Sequence, residues 1–347
     1  MKINGHGHLL PEPSQIPNFM RKKRLFWIDE DKKYMRQGTW SRPITSPSFF
    51  LKGKLEWMHK NALSHEVILS LSQLYCNGWS VEDALDGIRF QNDFNATVQQ
   101  AHPSRFTCGF VVQPLHLDQA LREIERCVEQ LGMQLLCLPT HYLDTDGQWC
   151  STADESVFPI YELAHKYQLA VQIHPYDGQK MIKLKDRFWR FHLVWMCAQT
   201  ADHYHLYTLL GVDQKFPGIR TCFAHANQYG HMGLGRRLQG FEGRPDLFQG
   251  AQHPKSSIGS PRIFFDTLAH DPHSLALVKQ RAGSRQIVAG LDDPYPLGEM
   301  EGVADGYPGK VIDDALKLKF FTEEEKRAIW TSNVLRWLGK QPQKKAV

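Results

Sequence analysis

The sequence predicts an α/β protein folded as a (β/α)₈ barrel, the TIM-barrel architecture, and three observations carry that reading. Eight short runs rich in β-branched and aromatic residues alternate with helical patterns along the 347 residues. Such alternation implies parallel strands covered on both faces. Histidines and a carboxylate fall at the ends of several of those runs, where a barrel of this type carries its chemistry. No glycine-rich phosphate turn follows the first strand, which disfavours a doubly wound open sheet.

The first strand is the opening stretch 1–8, which ends in His6-Gly7-His8. Side chains two apart on a strand share a face, so the two imidazoles can converge on one ion. Residues 9–49 read as a long irregular insertion after strand 1, rich in proline and charge, in the position of a lid or binding loop. Its basic run Arg21-Lys22-Lys23-Arg24 reads as a solvated face balanced by Asp29-Glu30-Asp31.

From residue 50 helices and strands take turns. Helix 51–62 precedes strand 66–71, helix 80–101 precedes strand 106–112, and helix 117–131 precedes strand 134–138. Helix 156–167 then leads to strand 169–174, and an aromatic-rich helical region, 186–212, leads to strand 219–225. A segment near 231–241, strand 262–266, helix 273–282 and strand 286–290 follow, and helices near 309–317 and 322–338 close the chain. No repeat, low-complexity segment or linker intervenes, so residues 1–347 are expected to form a single domain.

Composition narrows the function. Hydrophobic residues make up 42% and charged residues 22%, ordinary values for a globular protein. A formal net charge of +4 over this length gives no clustered footprint for nucleic acid. No apolar run approaches a membrane span, and no secretion signal opens the chain. The 7 cysteines are odd in number, widely spaced and free of CxxC pairs, so reduced thiols in a cytoplasmic protein are expected. The expected partner is a small molecule, not a nucleic acid or a membrane.

The strand ends supply the chemistry. Strand 1 gives His6 and His8, strand 5 gives His174, strand 6 gives His225 and strand 8 gives Asp292. Three histidines and one carboxylate suit zinc or a similar divalent ion, with one position left for water. His225 need not be a ligand; beside that water it can act as general base while the ion lowers the water's pKa. The end of strand 4, Leu138-Pro139-Thr140-His141, lacks a lysine that could be carboxylated to bridge two ions, so a single-ion site is expected. His141 has either an outer hydrogen-bonding role or a plain loop position. His203 and His205, two apart on a helix, diverge and make a poor metal pair.

With these residues in place, the chain resembles the amidohydrolase superfamily, and within it the metal-dependent decarboxylases. The resemblance runs from about residue 50 to 338 and includes the N-terminal His-x-His. Cys222-Phe223-Ala224-His225 and His270-Asp271-Pro272-His273 carry part of it. The most specific stretch is Gly290-Leu291-Asp292-Asp293-Pro294-Tyr295-Pro296-Leu297-Gly298-Glu299.

The resemblance implies that His6, His8, His174 and Asp292 hold one zinc ion and that His225 handles the proton. It implies that Arg42 and Arg236 grip substrate carboxylates, Arg236 across the interface of a homodimer, since a guanidinium fork fits a carboxylate. A family tryptophan position is His192 here, while Trp189 is retained, so both are expected at the substrate. Other departures are Tyr176 for the tryptophan after His-Pro, Ala226-Asn227-Gln228 for a glycine run, and Asn4 for the opening aspartate. The implied reaction is non-oxidative decarboxylation of an unsaturated or aromatic-derived carboxylic acid. Hydrolysis of a cyclic amide or lactone on the same barrel is the competing expectation.

Overall fold

The computed structural model describes residues 1–175, 186–303 and 305–340. Tyr176 therefore lies outside the described residues. Strand β1 is Ile3–Gly7, and the chain then builds helix α1, Asn18–Lys22, and strands β2, Trp27–Ile28, β3, Tyr34–Gln37, and β4, Trp40–Pro43. Helix α2, Leu51–Lys60, leads to β5, His65–Ile68, and α3, Val81–Ala101, leads to β6, Phe106–Cys108, and β7, Phe110–Val111. Next come α4, Leu117–Glu125, then β8, Leu135–Pro139, β9, His141–Leu143, and β10, Trp149–Ser151. Helix α5, Phe158–Lys166, precedes β11, Ala170–His174; α6, Met196–Leu209, and α7, Val212–Lys215, precede β12, Arg220–Phe223. Helices α8, Gln228–Met232, and α9, Leu234–Gly243, lead to β13, Ile263–Asp266, and α10, Pro272–Ala282, leads to β14, Ile287–Val288. Helices α11, Lys310–Lys317, α12, Glu323–Trp330, and α13, Ser332–Trp337, finish the chain.

The staves pair in parallel in the order β1-β5-β6 and β7-β8-β11-β12-β13-β14. Gly109 alone separates β6 from β7, so the two form one bent stave. The ring closes where Gly5 N–H donates to Ala289 O at 2.7 Å and where Gly7 bridges Asp293 in parallel. This is the expected barrel. Staves such as Leu135–Pro139 are buried at every position, as strands covered on both faces must be.

Ile3, Val67, Leu135, Cys222, Phe264 and Val288 form one apolar cluster with Trp337 of α13. Side chains drawn from staves all round a ring can touch only inside it, so this cluster packs the barrel interior and α13 closes one end. A larger cluster packs the helices against the outside of the staves.

Residues 9–49 are not the irregular stretch that their composition suggests. Strands β2, β3 and β4 make an antiparallel sheet. Phe26, Ile28 and Met35 are fully buried in a core of their own with Met20 and Phe49. Scattered charge hid this, because short edge strands carry polar residues on their solvent side. Arg21 pairs with Glu30 at 2.7 Å and Lys23 with Asp83 at 2.7 Å, so the basic run is partly balanced outside the expected acidic triplet. The expected helix 117–131 also changes form, ending in a wider π-type turn over Arg126–Gln130.

Candidate metal centre and active-site cleft

His6 and His8 leave the end of β1 on the same side because Gly7 lets the strand pass close to its neighbours. A Cβ at Gly7 would lie 1.9 Å from Glu66 Oε1. Position 7 thus has room for hydrogen only. Beneath it, buried Lys54 Nζ donates to Glu66 Oε1 at 2.9 Å and also bonds Asp293, which accepts from Asn4 Nδ2 at 2.6 Å. Burial, and then the charge of Asp293, push the Glu66 carboxyl up to about 8.

Backbone bonds bring the fourth group in. Asp292 N–H donates to His6 O at 2.8 Å and His8 N–H to Asp293 O at 2.8 Å. Asp292 itself sits at φ 51°, in the left-handed region, which turns its side chain toward the two imidazoles. His8 Nε2 lies 3.1 Å and His6 Nε2 3.5 Å from Asp292 Oδ1. His174, at the end of β11, completes the group: its ring centre is 5.2 Å from that of His6 and 5.5 Å from that of His8. All four are buried, and their candidate ligand atoms lie within 4.8 Å of one another.

Tautomers suit a cation. His6 Nδ1 donates to Asp266 Oδ2 at 2.8 Å, and His174 Nδ1 donates to Pro175 O at 2.8 Å. Each leaves an Nε2 lone pair facing the centre, the arrangement in which outer hydrogen bonds orient metal-binding histidines. His174 Nε2 is buried with no hydrogen-bond partner. His6 Nε2 and His8 Nε2 lie 3.2 Å apart, close enough to share one ion. The donor set of three imidazoles and a carboxylate therefore fits one divalent ion.

Electrostatics agree. Burial would raise the Asp292 carboxyl, yet the hydrogen bond from His8 and the nearby His6, His8 and His225 rings hold it far below the usual range. Burial, then the crowd of neighbouring imidazoles, drives His174 well below its ordinary value. His6 moves the other way, because Asp266 and Asp292 outweigh its burial.

His225 stands beside this group, with Nε2 3.9 Å from Asp292 Oδ2 and its ring centre 5.2 Å from that of His174. It opens a tight turn in which His225, Ala226 and Asn227 all have positive φ, at 54°, 54° and 42°. Asp266 holds that turn by accepting from His225 N–H at 3.0 Å and Ala226 N–H at 2.7 Å. Burial lowers the His225 imidazole to about 4 despite Asp292 and Asp266.

A cleft opens over the group. Arg42, on β4, lines it with its guanidinium 5.0 Å above the Tyr295 ring and hydrogen-bonded to His192. Trp189 and His192 line it too, their ring centres 4.9 Å apart. Leu193, Met196, Leu268 and Leu297 supply apolar wall. Arg236 is different: it is exposed on α9 and is not part of the wall of its own chain's cleft.

His141 is neither a partner of the four nor a loop residue; it lies on β9 and pairs with Asp202 at 2.8 Å. His203 is buried against Thr140 O at 3.1 Å, away from the centre. Asp266, which touches both His6 and the His225 turn, was missed in the sequence. Its position as the last residue of a strand, in Ile263–Asp266, was the available signal. His270, Gln228 and Ser72 also line the cleft without having stood out. The seven cysteines are unpaired, and among the described residues no helix is long and apolar enough to cross a membrane.

Known proteins with this architecture agree with the fold. The chain is 29% identical over 357 residues to 2-amino-3-carboxymuconate-6-semialdehyde decarboxylase of Dictyostelium discoideum, covering 99% of this chain and 93% of that protein. It is 22% identical to the Caenorhabditis elegans protein of the same name, covering 97% of this chain and 94% of the other. Among solved structures, 5-carboxyvanillate decarboxylase from Sphingomonas paucimobilis aligns with a TM-score of 0.73 at 19% identity, over 98% of this chain and 99% of that one. A dihydroxybenzoic acid decarboxylase from Polaromonas with bound manganese aligns at 0.69 and 14%, over 97% of this chain and 96% of the other. The family model described as amidohydrolase matches residues 77–340, and the chain therefore belongs to the amidohydrolase family of enzymes.

Proposed function

We propose that this protein is a metal-dependent, non-oxidative decarboxylase of an unsaturated or aromatic-derived carboxylic acid, with 2-amino-3-carboxymuconate-6-semialdehyde or a close analogue as substrate. One observation carries the reading: a guanidinium, Arg42, and an imidazole, His225, line the same cleft as the His6, His8, His174 and Asp292 group. The names of the two curated relatives, alignable over nearly the whole chain, support the substrate.

His6, His8, His174 and Asp292 are the ligands in this reading, and zinc is the ion that three imidazoles and a carboxylate favour. When bound, the ion supplies Lewis acidity at the base of the cleft. Arg42 binds a substrate carboxylate through its planar fork. Trp189 and His192 form the wall against which the conjugated chain lies. Leu193, Met196 and Leu268 exclude water, so the departing carboxylate is poorly solvated and neutral CO₂ leaves readily. The C–C bond to the carboxylate breaks, its electron pair enters the conjugated system, and a proton reaches the carbon. His225 Nε2 holds and moves that proton.

Arg236 in this reading contacts substrate in the other subunit of a homodimer. The unpaired cysteines support a cytoplasmic setting. The test combines metal analysis of the purified protein with two assays on the semialdehyde, loss of absorbance and release of CO₂. One equivalent of divalent metal and one CO₂ per substrate are expected. Ring opening of a lactone or cyclic amide without carbon loss would replace this reading with a hydrolase.

A further inference from the structure

Asp266 ties two loops of the cleft together. Its carboxylate accepts from the N–H groups of His225 and Ala226 after β12, and from Leu268 N–H after β13 at 3.1 Å. Both loops pass through the left-handed region, the first at His225, Ala226 and Asn227 and the second at His270, with φ 54°. Residues other than glycine keep that conformation only where their surroundings impose it, and such strain collects at sites of recognition. The first loop delivers Gln228 to the cleft wall as the opening residue of α8, and the second delivers His270. Beyond His270, Asp271 caps α10 by accepting from Ser274 N–H at 2.6 Å, so the backbone there is held on both sides.

Gln228 and His270 have hydrogen-bonding capacity to spare. Gln228 Nε2 donates to Cys197 Sγ at 3.5 Å, a weak acceptor on the same wall, and its Oε1 has no partner among the described residues. His270 is exposed and makes no hydrogen bond or ion pair among the described residues. The neighbouring wall is apolar, with Leu193, Met196 and Leu268. A few polar groups in such a wall are what orient a small ligand.

Position narrows the choice of ligand group. β13 pairs with both β12 and β14, so the His270 loop stands between the loops of His225 and Asp292. Arg42, the group for a carboxylate, stacks instead on Tyr295 beyond Asp292. Gln228 and His270 offer an acceptor and a neutral ring that both donates and accepts. That combination fits an amine or a hydroxyl, whereas a second carboxylate has no proton to give Oε1. Building on the decarboxylase reading above, we propose that Gln228 and His270 form a subsite for an amino or hydroxyl group. That group sits on the carbon next to the one that receives the proton from His225, and the subsite selects substrates that carry it.

Calorimetric titration of the metal-loaded protein with benzoate, anthranilate and salicylate tests the subsite. The three share a ring and a carboxylate and differ in the neighbouring substituent. Anthranilate, salicylate or both should bind about tenfold more tightly than benzoate, the worth of one good neutral hydrogen bond, and the tighter of the two tells amine from hydroxyl. Gln228→Leu keeps the bulk without the amide, so it should erase the preference and leave benzoate affinity and metal content as they were. Gln228→Ala repeats the test without the apolar branch, and His270→Phe should reduce the preference as well. Equal wild-type affinities, or no saturable binding, overturn the proposal. So does a preference that survives in every variant, which would assign it to the ion or to Arg42. Binding is read without turnover, so an absence of CO₂ release from the semialdehyde would count against the decarboxylase reading and not against this subsite.

Discussion

Asp266 Oδ2 lies 2.8 Å from His6 Nδ1, and the same carboxylate holds the backbone of His225. One side chain thereby fixes a proposed metal ligand from β1 and the proposed proton carrier after β12. Its four partners, His6 Nδ1–H and the N–H groups of His225, Ala226 and Leu268, are all donors. An amide has one acceptor oxygen, so Asp266→Asn must set its NH₂ against another donor in either orientation. Metal affinity should fall by about 10–100-fold, as for other losses of an outer hydrogen bond to a ligand. Competition with a chromophoric chelator measures it; unchanged affinity would show that His6 needs no such support.

Lys54 is fully buried between Glu66 and Asp293, directly beneath the His-Gly-His turn. Lys54→Met leaves two buried carboxyl groups without their cation, a change that costs roughly 3–5 kcal/mol. Replacing Asp293 by Asn at the same time removes one of those charges, so the double variant should be less destabilised than the sum of the singles. Chemical denaturation of the three variants gives the answer, and strict additivity would contradict the contact.

His203 predicts an acid limb in stability. Burial, then His141, depresses its imidazole to about 3, whereas the unfolded chain titrates near the ordinary 6.5. The folded value is the lower one, so the unfolded state binds the extra proton as pH falls. The contribution is complete above about 6.5 and is lost between there and about 3, at up to about 1.4 kcal/mol per pH unit. His203→Asn keeps a donor for Thr140 O but does not titrate. Its melting temperature should be lower at pH 7 yet fall less steeply between pH 6.5 and 4. Parallel curves would assign the slope to other groups.

What could be read in the chain follows from period and position. The eight staves are buried apolar runs, and their alternation with helices is a local pattern that survives folding. His6, His8, His174, His225 and Asp292 stood out because strand ends in a barrel face one mouth. Asp266 stood at such an end as well, but a single acid there has no partner in the sequence; its four donors come from residues 6 and 225–268. Lys54, Glu66 and Asp293 were equally invisible, since each looks like surface charge until the fold buries them together. The sheet of 27–43 was missed for a different reason. Strands of two to four residues are too short for alternation to register.

Arg42 tests the substrate reading most directly. It reaches the cleft from β4, outside the barrel proper, and is braced by the Tyr295 ring at 5.0 Å and by His192. None of the four clustered groups depends on it, so Arg42→Ala should retain metal while KM for the carboxylate rises by about 10–100-fold, the worth of one charge-assisted hydrogen-bonded pair. Arg42→Lys keeps the charge but loses the fork and the stacking on Tyr295, so it should recover only part of the loss. A purely structural arginine would give a different signature, with lower melting temperature, lower metal content and an unchanged KM in the folded fraction. Steady-state kinetics with metal analysis on the same preparations separates the two, and an unchanged KM in Arg42→Ala would remove Arg42 from the substrate site.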